Sequence, residues 1–140
     1  MQRNCFSVLL GLLFFAYSAV GSLAGDYNYI SQDDLQKRLQ AKDAVILLDI
    51  CPVEQYACGH IPGSIETNAF PAKTEEEKAL LDAKLPTINA SNDDVVIVCP
   101  RGGGGARNTF DFYASKGVDR KRLLILEKGM DNWPYEKEAK

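Results

Sequence analysis

The polarity pattern divides the chain near residue 25. Residues 6–19 are almost wholly apolar, and short apolar runs alternate with polar stretches after them. Arg3 precedes the apolar run and Ser22-Leu23-Ala24 follows it, an arrangement that a signal peptidase recognises. The run is shorter than the apolar segment that a transmembrane helix normally needs. The pattern predicts a secretory signal peptide over residues 1–24 and a domain over residues 25–140, with an uncleaved membrane anchor as the alternative.

Five short apolar runs in the second part of the chain are typical of buried strands. Helical patterns separate several of them, and alternation of this kind predicts an α/β domain. We therefore expect a mostly parallel, five-stranded sheet with helices on both faces. The predicted strands are Tyr27–Ile30, Ala44–Ile50, a short segment that begins at Ile65, Val95–Cys99 and Leu123–Leu126.

The intervening segments carry helix signals. Ser31 is a predicted N-cap for a helix that ends near Lys42. Thr74-Glu75-Glu76-Glu77 has the pattern of a capping box. A third helix is expected from about Ala106, and Gly117 ends it. The apolar stripes of these helices are predicted at Leu35 and Leu39, at Leu80, Leu81 and Leu85, and at Ala106, Phe110, Tyr113 and Ala114.

Charge and composition narrow the range of partners. Arg3 is the only charged residue among the first 24, so 15 basic and 19 acidic side chains remain, a net charge of −4. This balance argues against nucleic acid as a partner. The chain has one histidine, His60, which excludes a His-rich metal site. The remaining length suits one compact domain with one core.

The most reactive feature is a cysteine at a strand end. Cys99 ends the fourth apolar run and precedes Pro100, Arg101 and four glycines, Gly102 to Gly105. Sites in parallel sheets form at the carboxyl ends of the strands. Backbone N–H groups of a glycine loop can turn inward and bind negative charge at a helix N-terminus. A thiolate is such a charge, so the segment predicts nucleophilic sulfur chemistry at Cys99.

Three segments resemble the rhodanese family of sulfurtransferases, in order and spacing. The first runs from Leu47 through Asp49 to Gly59-His60-Ile61-Pro62-Gly63-Ser64, and the second is the Cys99 loop. The third is Leu126-Glu127-Lys128-Gly129-Met130-Asp131-Asn132-Trp133. The resemblance implies that Cys99 takes a sulfane sulfur from a donor such as thiosulfate and passes it, as a persulfide, to a thiol or cyanide. It implies no cofactor and no metal, and it gives His60 a structural role in the turn before Pro62.

The glycine loop departs from the family pattern Cys-x-x-Gly-x-Arg. The position of the basic residue near the loop end falls on Gly103 or Gly104. We expect the backbone of Gly102, Gly103, Gly104 and Gly105 to bind the substrate. Arg101 is the expected substitute cation, and a solvent-facing arginine is the alternative. A phosphatase or arsenate reductase of the same fold would need an arginine where this chain has Gly105.

Cys51 is a second departure, because many members have an arginine there, in an Asp-x-Arg motif whose Asp corresponds to Asp49. The resemblance places Cys51 near the pocket mouth, where it could resolve a Cys99 persulfide or sulfenate as a disulfide. A Cys51–Cys58 disulfide and a buried thiol are the alternatives. Asp49 is expected to order loop backbone.

These observations predict a periplasmic or secreted sulfurtransferase with a membrane association only through the signal peptide. An envelope protein is a candidate partner. Two other functions stay open: a non-catalytic binding or accessory module of an envelope complex, and a thiol-redox protein that uses Cys99 with Cys51.

Overall fold

The computed structural model describes residues 26–140, which form five strands and five α-helices. The predicted signal peptide, residues 1–24, lies outside the described residues. The strands are β1 (Tyr29–Ile30), β2 (Val45–Asp49), β3 (Ile65–Glu66), β4 (Asp94–Val98) and β5 (Leu123–Leu126). The helices are α1 (Gln32–Gln40), α2 (Val53–Cys58), α3 (Glu75–Asp82), α4 (Leu85–Asn89) and α5 (Gly104–Ser115).

All strand pairs of the sheet are parallel, and the strand order is β1-β5-β4-β2-β3. The five-stranded α/β architecture expected from the apolar runs is therefore confirmed. Strand β2 lies beside β4, with Asp49 opposite Val98 at their carboxyl ends. The segments that follow β2 and β4 consequently meet at one edge of the sheet, where sites form in such folds.

Two layers of apolar side chains cover the two faces of the sheet. The layer beneath α3, α4 and α5 includes Leu81, Ile88 and Phe110. The opposite layer, beneath α1 and the segment after β5, includes Leu35 and Trp133. Adjacent residues of a strand point to opposite faces, so each central strand contributes to both layers. Cys99 belongs to the α5 layer, whereas Cys51 belongs to the α1 layer.

The capping signals produce the helix ends that they predict. The Ser31 hydroxyl accepts from the Asp34 N–H at 3.0 Å, and this caps α1. Thr74 and Glu77 form a reciprocal capping box at the start of α3. Gly117 follows α5 with a φ of +91°, a left-handed conformation that glycine adopts without strain.

Four features of the helices differ from the sequence prediction. The six-residue α2 was not predicted, because its sequence has no apolar periodicity and Pro52 precedes it without a side-chain cap. Helix α4 is separate from α3. It begins at Leu85 and has Pro86 in its first turn, a position that suits proline. Leu80 is 44% exposed, so the predicted stripe of α3 narrows to Leu81. Helix α5 begins at Gly104, two residues before the expected start.

Among residues 26–140, no helix combines the length and the apolar character that crossing a membrane requires.

Candidate active site

Cys99 follows the last residue of β4 and lies at the base of a pocket. Its side chain is only 1% exposed, and it is in contact with the α5 layer of the core. The Gly102 N–H donates to its sulfur at 3.0 Å. Within residues 26–140 this is the one hydrogen bond to Sγ, so the ring of N–H groups expected from the glycines is reduced to a single donor. The sulfur also lies near the N-terminus of the twelve-residue α5, whose dipole favours negative charge there.

The backbone of the Cys99 loop is braced by the segment that follows β5. The Met130 N–H donates to the Cys99 carbonyl at 2.8 Å, and the Asp131 N–H donates to the Pro100 carbonyl at 2.9 Å. These two bonds satisfy carbonyl groups that would otherwise face the sheet edge unpaired. The segment thus fixes the direction in which Cys99 leaves β4.

Two glycines make this brace possible. Gly129 has a φ of +60°, and a Cβ atom there would lie 2.3 Å from the Cys99 carbonyl oxygen. Gly102 has a φ of +70°, and a Cβ atom there would lie 2.7 Å from the Leu126 carbonyl oxygen. Both positions combine a left-handed backbone with a close approach of main chains, so only glycine fits without distortion.

The other loop glycines have different surroundings. A Cβ atom at Gly103 would meet nothing within 4 Å, and one at Gly104 would meet only the distant end of Arg107. A Cβ atom at Gly105 would lie 2.7 Å from the Phe70 ring. Gly103 and Gly104 therefore leave open space above the loop, whereas Gly105 lets an aromatic ring lie against the first turn of α5.

The pocket above Cys99 has a volume of about 320 Å³. Phe70, 37% exposed, and Pro71 form an apolar wall beside the glycines. The lining residues are Phe70, Pro71, Lys73, Cys99, Pro100, Arg101, Gly103, Gly104 and Gly105. The pocket therefore combines a nucleophile, an open peptide floor and two cations, which suits a small ligand that carries negative charge.

Arg101 lines the pocket and is largely exposed to solvent. Its side chain is 87% exposed, and Nε lies 4.0 Å from the Asp131 carboxylate. The other carboxylate oxygen of Asp131 accepts from the Gln55 side chain at 2.8 Å. Arg101 therefore lines the pocket as expected, in an orientation closer to the solvent-facing alternative. Its role in binding a substrate stays a prediction.

Asp49 and Cys51 do not line the pocket, which corrects the expectation that Cys51 lies near its mouth. Both side chains are buried at 1% exposure, and Cys51 lies in the α1 layer, on the face of the sheet opposite the layer that contains Cys99. One oxygen of Asp49 accepts from the Cys51 N–H at 2.8 Å, so Asp49 does order backbone after β2. The prediction for Cys51 was wrong because side chains alternate between the two faces of a sheet, and Cys51 faces the layer opposite that of Cys99.

The electrostatics of this pair disfavour a reactive thiol at Cys51. Burial raises the pKa of Cys51 far above its ordinary value, and the neighbouring Asp49 carboxylate raises it further. Burial also raises the pKa of Asp49, against the lowering effect of its hydrogen bonds with Cys51. Its second oxygen is buried without a hydrogen-bond partner among the described residues. Cys51 is thus held as a thiol, which is the weak form for nucleophilic attack.

Cys51, Cys58 and Cys99 are all free thiols in the described part of the chain. Cys58 is exposed at the end of α2, whereas Cys51 is buried, so the alternative of a Cys51–Cys58 disulfide is not what the structure contains. Residues 26–140 hold no group of three or more His, Cys, Asp and Glu side chains arranged for a metal ion.

His60 has the structural role expected of it. Its Nδ1 lies 2.9 Å from the Tyr56 carbonyl oxygen, and its ring stacks on Tyr56 with centroids 3.9 Å apart. Its backbone forms an antiparallel bridge with Glu138. His60 therefore ties the turn before Pro62 to the C-terminal segment, away from the lining of the Cys99 pocket.

Sequence reasoning missed Phe70 and Lys73 in the pocket. Both belong to the connection between β3 and α3, which carries no recognised motif. The signal that could have found them is positional: Lys73 immediately precedes the Thr74 capping box, and the connection follows a strand at the same sheet edge as Cys99.

Comparisons with known proteins agree with this geometry. A family model for the rhodanese-like domain matches residues 31–136. The adenylyltransferase and sulfurtransferase UBA4 of Candida albicans is 26% identical over 111 residues, which cover 79% of this chain and 24% of that protein. This chain thus spans about a quarter of the length of that relative.

Solved structures show the same fold. The rhodanese-like domain of an Anabaena protein has a TM-score of 0.64 at 17% identity, and the match covers 82% of this chain and 81% of that one. A thiosulfate sulfurtransferase from Pseudomonas aeruginosa has a TM-score of 0.59 at 18% identity, over 81% of this chain and 20% of that one. With the family match across most of the chain, we conclude that this protein belongs to the rhodanese-like domain family.

Proposed function

We propose that this protein is a sulfurtransferase that moves a sulfane sulfur from a donor such as thiosulfate to a thiophilic acceptor through a persulfide on Cys99. The observation that carries the proposal is the position of the Cys99 sulfur, which lines the pocket and accepts a hydrogen bond from the Gly102 N–H. The family match and the sulfurtransferase relative support the same chemistry.

The first half-reaction is nucleophilic. The Cys99 thiolate attacks the outer sulfur of thiosulfate, a Cys99 S–S bond forms, and the bond between the two thiosulfate sulfurs breaks. Sulfite leaves with the electron pair of that bond, and the outer sulfur keeps its negative charge as the terminal sulfur of the persulfide. The Gly102 N–H and the N-terminus of α5 are oriented to stabilise this charge.

The second half-reaction returns the enzyme to its starting state. A thiolate or cyanide attacks the terminal sulfur of the persulfide, and the electron pair of the S–S bond returns to Cys99. The acceptor leaves as a persulfide or as thiocyanate. Because the pocket is open above Gly103 and Gly104, the terminal sulfur stays within reach of an acceptor.

The test is intact-mass spectrometry after incubation with thiosulfate. We expect the wild type and the Cys51→Ser variant to gain the mass of one sulfur, and the Cys99→Ser variant to gain nothing. Circular dichroism confirms that each variant is folded. If folded wild-type protein with free thiols gains no sulfur, thiosulfate transfer is not its activity, and a binding or accessory role becomes the better proposal.

We also propose that the protein acts in the periplasm or as a secreted protein. The support is the apolar segment over residues 6–19 with small residues at Ser22-Leu23-Ala24. In that compartment a thiol of an envelope protein is a candidate acceptor. Mass analysis of the protein purified from its source should show Gly25 as the first residue; a protein that retains Met1 would contradict cleavage.

A further inference from the structure

The segment from Phe70 to Lys73 is fixed beside Cys99 at several points. The Phe70 N–H donates to the Ile50 carbonyl at 2.8 Å, and its ring lies against Gly105. The Asn108 side chain of α5 donates to the Pro71 carbonyl at 3.0 Å. The segment is therefore held against α5, the helix whose N-terminus lies near the sulfur.

The capping box of α3 fixes the other end of the segment. The Glu77 carboxylate accepts from the Lys73 N–H at 2.6 Å and from the Thr74 N–H at 3.1 Å. These backbone bonds lower the pKa of Glu77, which keeps it ionised in its capping role. The main chain of Lys73 is therefore held while its exposed side chain lines the pocket.

The two cations that line the pocket differ in their partners. Arg101 has the Asp131 carboxylate 4.0 Å from its Nε. Among residues 26–140, no carboxylate lies within 4.0 Å of the Lys73 Nζ. The Glu77 carboxylate binds the main-chain N–H groups of Lys73 and Thr74 instead. The Lys73 ammonium is thus the cation in the pocket lining whose charge is not already balanced by an ion pair.

We propose, on the basis of the proposed sulfur transfer, that Lys73 binds the negative end of the sulfur donor and makes the site selective for anionic donors. The donor class is a small sulfane-sulfur compound in which a sulfonate or carboxylate lies next to the transferable sulfur. The wall formed by Phe70, Pro71 and Pro100 offers no charge. The other cation of the lining, Arg101, has the Asp131 carboxylate beside it, so we assign the discrimination between anionic and neutral donors to Lys73. An ammonium at the rim attracts the anion while the reacting sulfur faces Cys99.

The test compares two alkylating agents of nearly equal shape and different charge. Iodoacetate is an anion and iodoacetamide is neutral, and both react with a thiolate, so the ratio of their rates at Cys99 reports the charge of the pocket. The protein carries Cys58→Ser to remove the exposed thiol, and peptide mass spectrometry measures modification at Cys99.

We expect Lys73→Ala to lower the rate with iodoacetate about three- to ten-fold and to leave the rate with iodoacetamide within about two-fold. Lys73→Glu should lower the iodoacetate rate further, and Lys73→Arg should retain it. High salt should reduce the difference between Lys73→Ala and wild type, because it screens exposed charges.

Lys78→Ala is the matched control. Lys78 is a lysine of α3 that lines the neighbouring groove but not the Cys99 pocket, and it has Glu75 within 3.8 Å. Its rate ratio should equal that of wild type. An unchanged ratio in Lys73→Ala, or an equal fall in Lys78→Ala, would overturn the proposal, as would a fall confined to Arg101→Ala.

Kinetics with thiosulfate give the second readout. Lys73→Ala should raise KM about three- to ten-fold with kcat nearly unchanged, since the charge assists binding. A loss in kcat with unchanged KM would contradict a binding role. If wild type takes no sulfur from thiosulfate, the proposed function fails, and the alkylation ratio still decides whether Lys73 attracts anions to Cys99.

Discussion

Cys99 and Cys51 follow neighbouring parallel strands and have opposite chemical environments. Cys99 receives a hydrogen bond from a backbone N–H and lines an open pocket. Cys51 is buried beside the Asp49 carboxylate, which disfavours its thiolate. Residue type and strand-end position are therefore insufficient to make a reactive cysteine. The surroundings must supply a donor and an opening, and here only the Cys99 side of the sheet supplies both.

The register of β2 and β4 explains the difference. Asp49 of β2 lies opposite Val98 of β4. The residues that follow them, Ile50 and Cys99, therefore share one face of the sheet. Cys51 is one residue further and faces the other layer, with Val98. Because side chains alternate with a period of two, a shift of one residue moves a thiol from one face to the other.

The largest predicted effect is on thiol reactivity. In the native protein, iodoacetamide should modify Cys99 faster than Cys51 by about a hundred-fold or more, because the thiolate is the reacting form and Cys51 is held as a buried thiol. Peptide mass spectrometry over a time course measures both rates, and denatured protein, in which the two thiols should react alike, is the control.

Alkylation after mild oxidation tests the thiol-redox alternative. Mild oxidation should leave Cys51 as a thiol, and no Cys51–Cys99 disulfide should form. Equal rates for the two thiols in native protein, or a reversible disulfide between them, would break the comparison and favour the redox function.

A smaller effect is predicted for the brace that supports the Cys99 loop. Gly129→Ala should lower the free energy of unfolding by about 2–4 kcal/mol, since it combines a left-handed backbone with overlap against the Cys99 carbonyl. It should also slow persulfide formation, because the loop must shift. Urea denaturation and the mass assay with thiosulfate measure the two effects.

Gly104→Ala is the matched control on the opposite side of the loop. Gly104 is the first residue of α5, and a Cβ atom there would meet only the end of the Arg107 side chain, at 3.9 Å. Alanine should therefore stabilise the protein by up to about 1 kcal/mol, through its higher helix propensity. Equal destabilisation by the two substitutions would show that the brace does not have the role assigned to it.

The smallest effect concerns Asp49 and pH. Burial raises the pKa of Asp49 in the folded protein above its unfolded value, so the folded state binds more protons. This contribution to stability is complete below the unfolded pKa and is lost as the pH rises through the folded pKa. Urea unfolding between about pH 4 and pH 7 should thus show wild type losing stability relative to Asp49→Asn.

Asp49→Asn also sharpens the comparison of the two thiols. Removal of the charge beside Cys51 should speed the alkylation of Cys51 and leave that of Cys99 unchanged. A pH-independent stability difference between wild type and Asp49→Asn, or a change confined to Cys99, would contradict the assigned electrostatics.

The sequence contained most of the information needed for the elements and for the position of Cys99 at the end of a strand. Ser31 and the Thr74–Glu77 pair act within one helical turn, so local pattern suffices to predict them. The position of Cys99 was predictable because a buried strand, a cysteine and four glycines are adjacent in the chain. The α/β class followed from the alternation of apolar runs and helical patterns.

The parts that were not predictable depend on tertiary contacts. The face of Cys51 depends on the register between two strands, which the separate patterns of those strands do not specify. The place of Lys73 in the pocket depends on a Phe70 ring against Gly105 and on Asn108 of a distant helix. Gly129 looks like an ordinary turn glycine until its contact with the Cys99 carbonyl is known.

The brace between Cys99 and the segment after β5 also makes the Cys99 loop dependent on the C-terminal part of the chain. The ribosome produces Cys99 about 30 residues before Met130 and Asp131, whose N–H groups hold the loop. Strand β5, which leads into that segment, inserts between β1 and β4. A chain that stops short of β5 therefore contains the thiol but lacks the two backbone donors that hold its loop.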